Sequence, residues 1–227
     1  MSKVFSVAID GPVGAGKSCV AKKVAERLNA AYLDTGAMYR AVGLYMLENG
    51  VSLEDGAAIA ENAGKARVDV RYEGREQRMY LNGRDVTGEL RRPEVSLASS
   101  AVAKVHAVRE ALVNRQRELA RGISLVMDGR DIGTCVLADA TLKIFLTAAP
   151  EERARRRFRQ MNGRGVQSFE DVLNDLIRRD RNDMSRAESP LRCAEDAVEL
   201  DSTSLTEDEV VERIVSLLME RTGGERA

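Results

Sequence analysis

The chain has 227 residues, and 35 lysines and arginines nearly balance 36 acidic residues, which excludes a strong global field for a nucleic-acid polymer. Three widely spaced cysteines without a C-x-x-C pair argue against a disulfide framework and a zinc site. No apolar run approaches the ~18–20 residues of a membrane span, so we expect no membrane partner. The first strand begins too near Met1 for a preceding signal peptide, so we expect a cytoplasmic protein.

The first predicted elements surround a phosphate-binding motif. Residues 4–9 form an apolar run typical of a buried strand, and residues 19–28 have helical spacing. Between them, residues 11–18 match the P-loop pattern G-x-x-x-x-G-K-[ST]. A strand, a glycine-rich turn and a helix in this order are the context that the motif requires, so a chance match is a poor explanation.

The P-loop predicts binding of a nucleoside triphosphate with Mg²⁺. Backbone N–H groups and the helix N-terminus would surround phosphate oxygens. Lys17 would reach the β- and γ-phosphates, and Ser18 would be the metal ligand. We expect Cys19, like Cys135 later in the chain, to be a buried small residue. The predicted ATP-binding residues are Gly11, Pro12, Val13, Gly14, Ala15, Gly16, Lys17, Ser18 and Cys19.

The next part of the chain departs from a simple alternation of strands and helices. A short strand at 31–33 precedes helices predicted at about 36–47 and 53–66. Strand patterns at 68–72 and 77–81 flank a turn that contains Gly74, which is typical of a β-hairpin. Because a hairpin does not belong to a βαβ series, we assign residues 53–92 to an insertion within a single domain.

The remaining chain returns to α/β alternation. Two helices are expected in 93–121, followed by apolar strands at 123–127, 142–146 and 197–200 and by further helices from Pro150, from about Phe169 and around 207–221. The predicted fold is a three-layer α/β P-loop core, with a parallel sheet covered by helices on both faces and ligands at the carboxyl ends of its strands.

Two further strand ends carry charged residues. One interpretation is that Asp34 or Thr35 does no more than cap the following helix. Arg40, one turn later, favours a binding site instead, because arginine is a poor core residue and a good phosphate ligand. Residues 128–131 read Asp-Gly-Arg-Asp directly after a buried strand. A surface turn is the alternative there, because Asp-Gly is a common turn pair. Packing does not require these charges, which favours a site.

Taken together, these motifs resemble the bacterial-type cytidylate kinases, P-loop kinases of nucleoside monophosphates. The resemblance runs nearly end to end and depends on residues 9–18, 33–40, 108–112, 115–117, 128–134 and 200–203. It implies transfer of the γ-phosphoryl group of ATP to CMP and dCMP, and a hairpin-containing monophosphate-binding insertion. Another small-molecule P-loop kinase, UMP/CMP or shikimate-like, and a non-enzymatic P-loop regulator are the alternatives. The guanine-reading N-K-x-D segment of a GTPase is absent from the sequence.

The resemblance assigns the cytosine contacts to three residues. Asp131 matches a carboxylate that accepts from the cytosine 4-amino group, which uracil replaces with an acceptor. Arg109 matches an arginine that donates to the ring's acceptors. Ser100 matches a base-contacting serine, although taken alone it is better explained as a small polar helix residue.

The resemblance also assigns the phosphate and sugar contacts. Arg40, Arg130 and Arg186 match arginines around the substrate phosphate, whose two charges suit guanidinium forks. Arg179 and Asp183, four residues apart on a helix, match residues at the ribose hydroxyls; an exposed ion pair is the alternative. The implied substrate-binding residues are Thr35, Arg40, Ser100, Arg109, Arg130, Asp131, Arg179, Asp183 and Arg186, with Thr35 standing where many members have serine.

The implied catalytic residues are Lys17, Arg130, Arg186 and Arg156. The resemblance also implies that residues 151–167 are a short helical lid. The arginines of this segment go round a helix, so only one or two can face ATP, and we favour Arg156. Either Asp128 or Asp34 would hold a metal-bound water. Since no long apolar stripe indicates an obligate oligomer, we expect a monomer whose partners are ATP and CMP or dCMP.

Overall fold

A computed structural model of the protein describes residues 4–74, 76–161 and 168–223. The chain divides into two compact units, one formed by Met1–Ala31 with Gly122–Ala227 and the other by Tyr32–Arg121. Residues 162–167, the last part of the lid expected at 151–167, lie outside the described residues. Within the described ranges, no helix combines the length and apolar character needed to cross a membrane.

The first unit is built on a parallel sheet. Apolar strands with fully buried side chains, such as Val7, Ile9 and Val126, form its centre, as expected when both faces are covered. Its strands are β1 (Ser6–Asp10), β6 (Leu125–Asp128), β7 (Leu142–Thr147) and β8 (Val198–Asp201). Their order in the sheet is β6-β1-β7-β8. Strand β2 (Ala31–Asp34) begins in this unit at Ala31, which donates to Ser124 O at 3.0 Å, and its other residues belong to the second unit.

Helices flank this sheet, and their ends follow the capping chemistry of the sequence. Ser168 and Thr206 each accept from a backbone N–H three residues later, in capping boxes with Asp171 and Glu209. The last helix stops at Gly223, whose φ of 76° suits glycine. The helices of this unit are α1 (Lys17–Arg27), α6 (Pro150–Met161), α7 (Phe169–Met184) and α8 (Glu207–Thr222), with a π-helical turn at Ile132–Val136.

The second unit combines helices with an antiparallel sheet. The predicted hairpin is confirmed: Val68 pairs with Leu81, and Glu73 pairs with Glu76. Tyr72 Oη donates to Tyr32 O at 2.9 Å, so the hairpin holds the backbone of β2 in this unit. Its elements are α2 (Thr35–Glu48), α3 (Gly56–Ala63), β3 (Val68–Glu73), β4 (Glu76–Leu81), β5 (Arg84–Asp85), α4 (Pro93–Val102) and α5 (His106–Leu119).

Helices α2 and α4 approach each other closely at a glycine. A Cβ built on Gly43 would lie 2.9 Å from both Ala98 Cβ and the Ser99 backbone nitrogen. Real Cβ atoms do not approach so closely, so only glycine fits at this position. The crossing fixes α4, which carries Ser100, against α2, which carries Arg40.

The predicted fold class, a parallel α/β sheet flanked by helices with a β-hairpin insertion, is confirmed. The hairpin lies between α3 and α4, inside residues 53–92. Element ends differ: α1 begins at Lys17 rather than Cys19, and α3 covers only 56–63 of the helix expected at 53–66. The short strand β5 and the π-helical turn were not predicted, because neither has a sequence period of its own.

Candidate active site

The P-loop leaves β1 through a backbone path that requires glycine. Gly11 has a φ of 147°, and a Cβ there would lie 2.0 Å from Leu146 O. The loop therefore passes directly over the end of β7, where no side chain fits. Gly16, with a φ of 90°, is the N-cap of α1 and has no side chain to cap the helix. The N–H groups of the first turn of α1 therefore remain available to an anion.

Lys17 is the first residue of α1 and is almost completely buried. Its Nζ donates to Pro12 O at 2.7 Å, across the loop. Burial, followed by repulsion from Arg130, holds the pKa of Lys17 well below its ordinary value, although Asp128 and Asp10 oppose this shift. A lysine in such a site gains stabilisation from an anionic ligand, which is the property expected of a phosphate-binding cation.

Ser18 and Asp128 bring two oxygen ligands together. Ser18 Oγ donates to Asp128 Oδ2 at 2.8 Å, and the carboxylate is buried at the end of β6. A hydroxyl and a carboxylate fit Mg²⁺, which takes one or two protein oxygens beside nucleotide phosphates and water. Among the described residues, no group of three or more His, Cys, Asp or Glu side chains could hold a metal ion.

A buried carboxylate anchors the backbone that directly follows the Asp-Gly-Arg-Asp segment. Asp10 Oδ1 accepts from Ile132 N at 2.8 Å, and Oδ2 accepts from Gly133 N at 2.7 Å. These bonds hold the first turn of the π-helical segment directly after Asp131, which is itself buried. Burial raises the pKa of Asp10 to about 6, although the two backbone bonds favour its ionised form.

Asp183 joins two of the predicted phosphate-binding arginines. Arg130 Nε donates to Asp183 Oδ2 at 2.8 Å, and Arg186 Nη2 donates to Asp183 Oδ1. Burial alone would lower the pKa of Arg130, but attraction to Asp183 outweighs it and the pKa is raised. The carboxylate thus holds two guanidinium groups together, which creates a concentrated positive site for a dianion. The ribose contact assigned to Asp183 stays a prediction.

Arg179 and Arg156 are partly exposed members of the same unit. Burial, opposed by Asp175, lowers the pKa of Arg179. Arg156 donates to Ser202 O at 2.6 Å and to Ser202 Oγ at 3.0 Å. A Cβ built on Gly16 would lie 3.9 Å from Arg156 Nη1, so this arginine lies beside the P-loop.

In the second unit, Asp34 and Arg40 form an ion pair. Arg40 Nη2 donates to Asp34 Oδ2 at 2.8 Å, and Asp34 Oδ1 accepts from Ala37 N at 2.8 Å as the N-cap of α2. The capping alternative is therefore realised for Asp34, together with the contact to Arg40. Gln77 of the hairpin accepts from Asp34 N at 2.8 Å, and Thr35 is buried beside it in sequence.

Arg109 and Ser100 also belong to the second unit. Arg109 is buried on α5, with its guanidinium carbon 5.9 Å from the centre of the Tyr39 ring, a cation–π distance. Ser100 is half-buried on α4. The predicted site residues therefore divide between units, with Thr35, Arg40, Ser100 and Arg109 in the second and the others in the first.

Comparison with known proteins gives the family. The sequence model described as Cytidylate kinase matches residues 7–220. The chain belongs to the cytidylate kinase family. A cytidylate kinase of Caldanaerobacter subterraneus subsp. tengcongensis is 49% identical over 220 residues, covering 96% of each chain. A cytidylate kinase of Desulforamulus reducens is 52% identical over 217 residues, covering 95% of this chain and 97% of its own.

Solved structures of distant proteins share the fold of this cytidylate kinase family member. An uncharacterised protein from Eubacterium ventriosum has a TM-score of 0.54 at 16% identity, covering 96% of this chain and 99% of its own. A gluconokinase from Sinorhizobium meliloti has a TM-score of 0.50 at 12% identity, covering 95% and 92%. At these identities the likeness concerns the fold alone.

For this family member, sequence reasoning missed several contacts that organise the site. Asp10 accepts from the backbone of Ile132, directly after the Asp-Gly-Arg-Asp segment. Gln77 accepts from the backbone of Asp34, and Asp180 accepts from the backbone of the P-loop. Only Asp10 had an available signal, a charged residue that ends a buried strand. The expected burial of two cysteines was wrong: Cys19 is exposed and Cys135 is half-buried, because both lie on helical turns beside the loops.

Proposed function

We propose that this phosphotransferase moves the γ-phosphoryl group of ATP to CMP and dCMP, giving ADP and CDP or dCDP. One observation carries the proposal: at the carboxyl edge of a single sheet, the P-loop lysine and serine lie with the Arg130–Asp183–Arg186 cluster. This edge supplies positive groups for two phosphorylated ligands. Membership of the cytidylate kinase family favours CMP as acceptor over the shikimate-like and regulatory alternatives.

The chemistry needs positioning and charge stabilisation rather than a covalent intermediate. A phosphate oxygen of CMP attacks the γ-phosphorus in line with the leaving ADP oxygen. Since this nucleophile is already anionic, no general base is required. Lys17, Arg130 and Arg186 offset the charge on the transferring group, and Arg156 beside the P-loop holds the donor phosphates.

Mg²⁺ bound with ATP would be held by Ser18 and Asp128, and would neutralise part of the phosphate charge. The hydrogen bond between these two side chains supports Asp128, rather than Asp34, as the acidic residue of the metal site. In the second unit, Asp34 instead uses its oxygens for Ala37 and Arg40.

Base selection is assigned to Asp131. Its carboxylate would accept from cytosine N4 and repel uracil O4, since both would then be acceptors. The hydrogen bonds from Ile132 and Gly133 to Asp10 fix the backbone that follows Asp131, which favours a rigid reader over an adaptable surface group.

A coupled ADP-release assay with CMP, dCMP, UMP, AMP and shikimate tests the proposal. We expect CMP and dCMP to be the best acceptors, with UMP weaker and shikimate inactive. Turnover of shikimate above that of CMP, or no acceptor-dependent ADP release, would contradict the proposed function. A monomeric state, a cytoplasmic location and a role in pyrimidine nucleotide metabolism stay predictions; light scattering would test the first.

A further inference from the structure

Helices α6 and α7 contribute a buried ion pair that the predicted reaction does not use. Arg153 Nη1 donates to Asp180 Oδ2 at 2.6 Å. Only 5% of the Arg153 side chain and 10% of the Asp180 side chain are exposed. The desolvation of two buried charges can cancel their attraction, so such a pair is weak evidence of a role in stability.

Both members of the pair hold the backbone of the P-loop at one residue. Val13 N donates to Asp180 Oδ1 at 3.3 Å, and Arg153 Nη1 donates to Val13 O at 3.0 Å. Arg153 Nε also donates to Ala148 O at 2.8 Å, after the end of β7. The N–H and the carbonyl of Val13 are therefore fixed by one charged pair anchored to the sheet.

Apolar packing reinforces the same contact. The Val13 side chain packs against a cluster of Ala154, Val172 and Leu176 between α6 and α7. A Cβ built on Gly14 would lie 3.3 Å from Arg153 Cβ, so the loop lies directly on the arginine. The contact with these helices thus involves both the backbone and the side chains of the P-loop.

We propose that Arg153 and Asp180 are positioning residues that hold the P-loop, through Val13, in the conformation that binds the phosphates of ATP. They act through the loop backbone and do not need to touch the reactants. This inference rests on the proposed function, because it takes the P-loop as the ATP site. Asp183 lies one turn after Asp180, so α7 positions both the loop and the arginine cluster.

The main test is Asp180→Asn, which keeps the size of the side chain and removes its charge. We expect the Kd for ADP with magnesium chloride to rise about tenfold, as for loss of a charge-assisted hydrogen bond. The Kd for CMP alone should stay within about twofold, because the Arg130–Asp183–Arg186 contacts remain. Backbone amide exchange in a peptide containing Val13 should accelerate. Asp208→Asn, which removes a carboxylate from an exposed ion pair with Lys23, is the matched control and should change neither Kd.

Folded Asp180→Asn protein that binds ADP as tightly as wild type would overturn the proposal. Equal weakening of ADP and CMP would also overturn it, since that pattern indicates general loosening. If Asp180→Asn does not fold, Arg153→Lys decides, because one ammonium cannot reproduce the bonds to Ala148, Val13 and Asp180 together; unchanged ADP affinity would then contradict the proposal. Wild-type protein that binds no ADP would instead refute the proposed function.

Discussion

Helix α1 joins two ion-rich regions that differ in their access to water. The strand-end region, formed by Asp10, Lys17, Asp128, Asp131 and Asp183, contains charges that the fold buries. The α1–α8 surface is formed by Lys23, Arg27, Glu207, Asp208 and Glu212, and its ion pairs are exposed. Both regions contain lysine and aspartate, so a comparison of these residues shows the effect of burial.

Two lysines of the same helix show this effect. Burial lowers the pKa of Lys17, whereas the hydrogen bond to Asp208, 2.8 Å away, raises the pKa of exposed Lys23. Desolvation disfavours the charged form of Lys17, so an anionic ligand would stabilise it. The ammonium of Lys23 is instead exposed to solvent and already paired with Asp208. An ion pair alone therefore does not identify a functional charge; a desolvated cation beside a glycine-rich loop does.

The largest expected effect follows removal of the buried cation. Lys17→Met should lower kcat about 10²–10³-fold, because charge on the transferring phosphoryl group loses a fixed positive partner. The melting temperature should not fall, since the variant no longer buries an ammonium. Steady-state kinetics and calorimetry measure both quantities. A variant of unchanged stability that kept more than about a tenth of the turnover would refute the role of Lys17 and the functional reading of its burial.

The next effect concerns specificity within the strand-end region. Asp131→Asn should reduce CMP activity and narrow the CMP/UMP ratio of kcat/KM by about 5- to 150-fold, because an amide can present a donor or an acceptor. Both substrates are compared at saturating ATP. If CMP activity falls while the ratio is unchanged, Asp131 is structural and the base is read by other residues, with Arg109 and Ser100 the first to examine.

A third prediction uses pH to detect a buried carboxylate. The pKa of Asp10 is raised from 3.8 to about 6, so the folded protein binds a proton at Asp10 more tightly than the unfolded chain does. The contribution of Asp10 to stability should therefore fall as the pH rises through about 6. Relative to Asp10→Asn, the wild-type protein should be more stable at pH 5 than at pH 7, with a free energy of unfolding about 1 kcal/mol larger at pH 5. Urea titrations at both values test this; a pH-independent difference would place the titration elsewhere.

The smallest effect is expected at the exposed surface. Lys23→Met repeats the Lys17 substitution on the same helix and should leave kcat and both KM values within about twofold, because solvent already stabilises the charges there. The variant serves as the matched control for Lys17→Met. A large loss of turnover in Lys23→Met would show that surface charge, and not burial, controls the chemistry of this helix.

The sequence was most informative where function is encoded locally. Residues 11–18 and 128–131 could be recognised because a glycine-rich or charged run interrupts an apolar strand pattern. The bonds from Ile132 to Asp10 and from Val13 to Asp180 join residues more than 100 positions apart, so no local period indicates them. The exposure of Cys19 also depends on how the helix is placed, because composition alone favours burial of a cysteine.

The glycine at the crossing of α2 and α4 has a consequence for protein engineering. Since even a methyl group at Gly43 would collide with Ala98 and the Ser99 backbone, substitution there would push α4 away from α2. Mutant libraries aimed at a new acceptor base should therefore hold Gly43 and Ala98 constant. Diversity placed at Ser100 would then be screened on an unchanged scaffold, so that altered selectivity could be attributed to the new side chain.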